Sequence, residues 1–182
     1  MAVTNAHEKP DPALFVRDVP DFPEPGIVFK DITPLLASPA AFRLVVDDLA
    51  AVAGNLGADL IAGVEARGFL FGAPVALAAD CGFVPIRKPG KLPSATLGID
   101  YALEYGTDRL ELHVDAVATG HRVLLVDDVL ATGGTAAASI GLLRNGGADV
   151  VGAAFVLEID GLDGRVQLDD LPVYVAVSKG AR

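Results

Sequence analysis

Two periods of hydrophobic position run along this chain. Phe42, Val45, Val46, Leu49 and Val52 recur at three- and four-residue spacing, which predicts a helix. Ser38 caps it, Pro39 is its first residue, and Gly54 and Gly57 end it. Asp59 to Val64 is apolar and too short for a helix, so it reads as a buried strand. It leads through Glu65-Ala66-Arg67-Gly68 into an apolar helix from Phe69 to Ala79. Gly82 to Ile86 is a further strand. Alternation from Thr96 to Leu103, continued from Leu110 to Val114, predicts a hairpin arm whose glycine and proline content implies mobility. Val123 to Val126 is another buried strand. Ala136 to Arg144 is helical and stops at Gly146-Gly147, and Asp149 to Leu157 is a long apolar strand. Glu158 to Asp170 reads as an acidic loop with one turn. Leu171 to Val177 is a last strand, placed at a sheet edge by Pro172.

The chain before Ser38 is less regular. Residues 1–12 carry no pattern. Ala13 to Val19 is read as a short helix ended by Pro20. Pro23, Pro25 and Pro34 make the next stretch stiff and irregular, with an extended piece from Ile27 to Lys30. Its apolar residues Phe22, Ile27, Val28 and Phe29 either cover a core or form one wall of a site for a planar ligand. Strands alternating with helices make the chain an α/β protein with a mostly parallel sheet, right-handed crossovers and helices on both faces.

Length and composition narrow this picture. A chain of 182 residues that is 52% hydrophobic and 21% charged fits one globular domain, 1–182, with no internal repeat. No apolar run is long enough for a membrane helix, and the first ten residues lack the order of a signal peptide. A cytoplasmic protein with no membrane partner is expected. The single cysteine, Cys81, excludes an intrachain disulfide and is expected to act as a small hydrophobe. The net charge of −10 argues against nucleic-acid binding. His7, His113 and His121 have no acid or nucleophile partner in the sequence and read as structural or surface residues.

The chemistry concentrates after the strand at Val123. Asp127 and Asp128 follow it as an acidic turn, and Ala131-Thr132-Gly133-Gly134-Thr135 then opens into a helix. Unpaired N–H groups and the dipole at a helix start attract an anion, and glycines let the backbone curl around it. Thr132 and Thr135 add hydroxyl donors, and Thr135 is a candidate N-cap. The loop is neither Walker A nor Gly-x-Gly-x-x-Gly. Two carboxylates do not suit a phosphate; they suit ribose hydroxyls or a hydrated Mg²⁺. Sugar and phosphate at the carboxyl end of a parallel strand is a general ligand position in such sheets. Arg67 sits on a turn after the earlier strand. Arg87, Lys88 and Lys91 form the dense basic cluster of an acidic chain, either a solvated face or a clamp on a polyanion.

These stretches resemble known proteins. Val123 to Thr135 is similar to the phosphoribosyl pyrophosphate (PRPP) signature of type I phosphoribosyltransferases. Phe22 to Pro34 resembles the N-terminal hood of the adenine phosphoribosyltransferase family, Leu103-Glu104-Tyr105-Gly106 its catalytic loop, and Glu65 to Gly68 its pyrophosphate loop. The resemblance covers residues 20–160. It implies the type I phosphoribosyltransferase fold, a central mostly parallel sheet flanked by helices, with a hood at 20–35 and a flexible lid at 88–110. It implies adenine + PRPP ⇌ AMP + diphosphate, with Mg²⁺ held mainly by PRPP and diphosphate and no direct protein ligand. In that scheme residues 131–135 hold the 5′-phosphate, Asp127 and Asp128 the ribose, and Arg67, Arg87, Lys88 and Lys91 the diphosphate. Backbone groups of Val28, Phe29 and Lys30 read adenine. Glu104 handles the purine N7 proton, Arg67 assists the leaving group, and Tyr105 helps close the lid. Human-type members carry Arg in place of Lys30. The family often has a non-prolyl cis peptide in the Glu65 to Gly68 loop and forms a homodimer. The alternatives are a transferase for hypoxanthine, guanine or xanthine, and a PRPP-sensing regulator.

Overall fold

The computed structural model describes residues 10–102, 107–168 and 170–177. The chain divides into two compact units, Met1–Val45 and Val46–Arg182. In the first, Pro12–Phe15 is a 3₁₀ turn capped by Asp11, whose carboxylate accepts from the Ala13 amide at 2.9 Å. Two antiparallel strands follow, β1 (Arg17–Pro20) and β2 (Val28–Asp31). The helix expected from Ala13 to Val19 therefore does not form. Cross-strand pairing of unlike charges accounts for this: Arg17 faces Asp31 at 2.5 Å, and Lys30 faces Asp18 at 3.0 Å. The extended piece anticipated at Ile27 to Lys30 is present as β2. The connection contains a cis Phe22–Pro23 bond, and the Phe22 ring meets Phe29 edge-on at 5.2 Å.

Pro34, read from the sequence as part of an irregular stretch, sits instead in the first turn of a short helix, α1 (Thr33–Ala37). Asp31 starts that turn. Its carboxylate accepts from the Thr33 amide at 2.9 Å and the Thr33 hydroxyl at 3.0 Å. These bonds and the Arg17 guanidinium lower the carboxyl to about 2. Helix α2 (Pro39–Leu56) starts as expected, with the Ala41 amide 3.4 Å from Ser38 Oγ. It continues through Gly54 and stops at Gly57, where φ is +60°. Arg122 caps its end, donating to the carbonyls of Leu56 and Gly57 at 2.8 and 2.9 Å.

The larger unit carries β3 (Leu60–Val64), α3 (Gly68–Ala78), β4 (Gly82–Ile86), the hairpin β5 (Thr96–Ala102) and β6 (Thr107–His113), β7 (Arg122–Leu130), α4 (Gly134–Asn145), β8 (Asp149–Glu158) and β9 (Val173–Val175). Five strands form one sheet in the order β4-β3-β7-β8-β9, every neighbouring pair parallel. β9 is the expected edge strand. A 3₁₀ turn, Gly164–Leu168, is the turn anticipated between Glu158 and Asp170. His113 and His121 accept backbone amides from Ser94 and Ala118, in line with structural roles, whereas His7 lies outside the described residues.

Alternation along the strands sends Ala62, Val64, Val123, Leu125, Ala153 and Phe155 into one buried cluster with Ile140 and Leu143 of α4 and Leu110 and Leu112 of β6. The other face of β3 receives α3. A Cβ at Gly63 would stand 2.7 Å from the Phe83 ring, and one at Gly72 3.3 Å from Gly63 Cα. Only hydrogen at both positions permits this spacing of helix and strand. The order also creates a switch point. From β3 the chain crosses to β4 on one side, and from β7 to β8 on the other, so a crevice opens beyond the C-terminal ends of β3 and β7.

Gly63→Ala forces a methyl group against the Phe83 ring beneath α3 and is expected to cost about 1–3 kcal/mol of stability. Urea unfolding of the two proteins measures this; an unchanged midpoint would show that the ring yields without loss.

Candidate active site

A cavity of about 450 Å³ occupies the switch-point crevice. The end of β3 and its loop supply Glu65, Ala66 and Arg67; β7 supplies Asp127 and Asp128; residues 131–135 close one side; Lys88 and Tyr101 reach in from β4's end and the hairpin. The first correction to the sequence reading concerns the two aspartates. They belong to β7, which runs on to Leu130, and do not form a turn. Parallel pairing with β8 extends through Asp127↔Phe155 and Val129↔Leu157, and this ladder carries the strand past the acids. The strand therefore holds both carboxylates rigidly.

Asp128 is buried, and its carboxylate is 2.5 Å from Arg67 Nε. Asp127 is half-buried and accepts its neighbour's amide at 2.8 Å. Burial raises the Asp127 carboxyl well above the usual range, and the adjacent Asp128 charge raises it further. Burial also raises Asp128, while Arg67 works against that rise. A Cβ at Gly68 would lie 2.8 Å from the Asp127 carboxylate, so only glycine lets α3 begin so close to it. The Glu65–Ala66 peptide is cis, as the resemblance implied.

The second correction concerns the cap of α4. Gly133, not Thr135, occupies the cap position, with φ at +85° and no side-chain cap bond. Thr135 is one residue inside the helix, and its carbonyl accepts from Ser139 at 2.8 Å. The reason is spatial. A Cβ at Gly133 would stand 2.3 Å from the Gly164 carbonyl oxygen, and one at Gly164 2.2 Å from the Ala131 carbonyl oxygen. The loop and the 3₁₀ turn behind it thus meet backbone to backbone. Thr132, Gly133, Gly134 and Thr135 line the cavity at the start of α4, where the first N–H groups of a helix lack intrahelical acceptors.

The basic cluster divides. Lys88 lines the cavity, its Nζ bonded to Asp108 and 3.4 Å from the Tyr101 hydroxyl. Arg87 turns to Glu65, donating from Nε at 3.1 Å and Nη2 at 3.4 Å, and stands 5.9 Å from the Phe69 ring centroid. Burial opposes charge on Glu65, but the Lys88 amide and the Arg87 guanidinium hold its carboxyl below the ordinary value. Lys91 is exposed and gives its carbonyl to Arg87. Val28, Phe29 and Lys30 belong to the first unit, with the Lys30 ammonium engaged by Asp18. Glu104 and Tyr105 lie outside the described residues. Tyr101, Asp108 and Gly164 were not singled out as site residues in the sequence, and Glu65 entered only as the start of the pyrophosphate loop. The hairpin register pairs Tyr101 with Asp108, which the alternation could have revealed; nothing in the sequence marks Gly164.

A crevice with this set of groups is suited chemically to a sugar phosphate and a second anionic group. Residues 34–176 match the family model described as a phosphoribosyl transferase domain, and the chain belongs to that family. Within it the similarity is to adenine phosphoribosyltransferases. The one from Parafrankia sp. is 64% identical over 158 residues, covering 87% of this chain and 86% of its own. The crystal structure of the Thermoanaerobacter pseudethanolicus protein superposes with a TM-score of 0.87 at 51% identity, covering 90% of this chain and 95% of that one. The Saccharomyces cerevisiae protein, complexed with adenine and an imino-altritol bisphosphate, gives 0.85 at 39% identity, with the same coverages.

Two substitutions test this geometry. Gly133→Ala meets both the positive φ and the Gly164 carbonyl, and is expected to lower stability by about 2 kcal/mol or more and to abolish phosphate binding. Gly90→Ala, with φ at +71° and open space around it, should cost only about 1 kcal/mol. Calorimetric titration with ribose 5-phosphate and thermal melts separate the two.

Asp127→Asn tests the buried acid. A carboxyl raised in the fold binds a proton there more tightly than in the unfolded chain, so stability falls as pH rises from the unfolded value, about 3.9, through the folded value. Asparagine removes that loss. The variant should melt about 2–4 °C above the parent at pH 8, the gap shrinking toward pH 4, while activity drops. Equal melting points at pH 8 would show that Asp127 is ionised without penalty.

Proposed function

We infer that this protein transfers the phosphoribosyl group of PRPP to adenine, giving AMP and diphosphate in purine salvage. The carrying observation is the cavity in which a helix start, two strand-borne aspartates and Arg67 face one another. In this reading residues 131–135 hold the 5′-phosphate, and Asp127 and Asp128 accept hydrogen bonds from the ribose hydroxyls. Positive charge then develops at C1′ as the diphosphate leaves, in a transition state of oxocarbenium character. The strand-fixed carboxylates stabilise that charge without rearranging. Arg67 and Lys88 take the negative charge growing on the leaving group. Arg87 and Lys91 complete the diphosphate set; the bond from Arg87 to the Lys91 carbonyl supports this by tying the two residues into one loop.

Mg²⁺ is the proposed cofactor. Among the described residues no group of three acid, histidine or cysteine side chains is placed to hold a metal. Asp127 and Asp128 fit an ion carried in by diphosphate and ribose oxygens, where it would neutralise the leaving group. Adenine is read by Val28, Phe29 and Lys30. The Asp18–Lys30 pair supports reading by backbone groups, because the ammonium is already engaged by a carboxylate. Glu104 serves the N7 proton, and Tyr105 helps the lid exclude water. The hairpin β5–β6 supports a lid, since the 103–106 connection joins its two strands. A homodimer is supported by α3, which turns Leu70, Ala73 and Leu77 to solvent as an apolar stripe. A cytoplasmic location accords with the described residues, none of whose helices is long and apolar enough to cross a membrane.

Diphosphate release measured side by side with adenine, hypoxanthine, guanine and xanthine should show adenine turned over and the 6-oxo purines not. Glu104→Ala should reduce adenine turnover by roughly 10²–10⁴-fold with an unchanged melting point. A near-parental rate removes Glu104 from its role, and turnover of a 6-oxo purine at the adenine rate removes the base assignment.

A further inference from the structure

Lys88 lines the cavity, and its carboxylate partner, Asp108, is not among the lining residues. Its ammonium is bonded to Asp108 and lies 3.4 Å from the Tyr101 hydroxyl, which in turn donates to Asp108 at 3.3 Å. Tyr101 and Asp108 are directly opposed on the hairpin, so their side chains share a face. The Lys88 ammonium also stands 5.9 Å from the Tyr101 ring centroid. The backbone of Lys88 is held independently, its amide donating to Glu65 at 3.0 Å. Arg67 is different: its carboxylate partner, Asp128, itself lines the cavity.

We propose that Asp108 is a positioning residue that serves as an exchangeable counter-ion for Lys88, holding its ammonium at the cavity and yielding it to the diphosphate group. The proposal rests on the assignment of Lys88 to diphosphate. The physical case is a competition. A carboxylate carries one negative charge and a diphosphate several, so the anion wins the ammonium when it arrives. Asp108 then faces the anion as a like charge. Binding therefore loses whatever the Lys88–Asp108 pair contributed, and the loss returns when diphosphate departs. The pair is partly screened, with side-chain exposures of 38% and 27%, so the effect is modest. In this arrangement the residue that keeps the cation aimed also prevents the product from binding too tightly. The proton states agree: burial works against charge on Lys88 and the Asp108 bond overcomes it, while that same bond lowers the Asp108 carboxyl.

The test is titration of the full-length protein with magnesium diphosphate, for the parent, Asp108→Asn, Lys88→Ala and the double variant. Asn keeps the shape and the Tyr101 contact but removes the charge. Asp108→Asn should bind diphosphate about fivefold more tightly, and most of this gain should be lost in the Lys88→Ala background. In steady-state assays of AMP formation, a product-release limit would lower kcat while KM for PRPP also falls, a split that loss of structure does not produce. If Lys88→Ala binds diphosphate as well as the parent, the assignment of Lys88 itself fails. If Lys88→Ala weakens binding but Asp108→Asn leaves it unchanged or weakens it, the assignment stands and the counter-ion proposal is overturned. A gain that persists undiminished without Lys88 also overturns it, because Asp108 would then act only by repelling the anion.

Discussion

Two carboxylates side by side at the end of a buried strand set the terms for the rest of this protein. Burial favours the neutral acid at both positions, and the Asp128 charge raises the Asp127 carboxyl further. The arrangement persists because its neighbours offset it. Arg67 sits 2.5 Å from Asp128, and the Asp128 amide donates to Asp127. Gly68 lets α3 begin against the Asp127 carboxylate, bringing the helix's amide end toward a negative group. The β3–β7 pairing then places the Glu65 to Gly68 loop beside the acids. Strand order, helix start and ion pair are thus one solution to one electrostatic problem.

The 131–135 loop depends on a different constraint, the approach of backbone to backbone. Gly133 and Gly164 touch across a gap that no side chain can occupy. The loop's curvature is consequently determined by a turn thirty residues further along the chain as much as by its own glycines. Arg165 secures that turn, donating to Glu158 at 2.8 Å and to the Val173 carbonyl at 3.1 Å. The turn after β8, in a segment that looks like an acidic surface loop in the sequence, backs the 131–135 loop through Gly164.

This difference explains what the sequence could and could not disclose. Apolar runs of strand length between glycines located β3, β4, β7 and β8, because burial on both faces leaves a strong local mark. The helix starting at Pro39 was legible from its cap. The strand β1 was not, because Arg17 and Asp18 become strand residues only through Asp31 and Lys30, a partner segment more than ten residues away. Thr135 looked like a cap because threonine is a good one, yet the cap was decided by Gly164. Among the site residues, the motif showed Asp127, Asp128 and the 131–135 loop plainly. The separate fates of Arg87 and Lys88 were invisible, since adjacent residues on a strand's end point to opposite sides and their partners come from different elements.

The same alternation explains why an acidic chain can build an anion site with so few cations. Arg87 turns to Glu65 and Lys88 to Asp108, and Arg67 is already beside Asp128. Each is bonded to a carboxylate, which holds it in place. Arg87 braces Glu65, and Glu65 in turn fixes the Lys88 amide, so one arginine serves the cavity by orienting another residue's backbone. A site of bare cations would bind diphosphate more tightly and release it more slowly. In the proposed diphosphate site, cations already paired with carboxylates would gain less on binding and lose less on release, which suits a catalyst that must both take up and surrender a polyanion in each turnover.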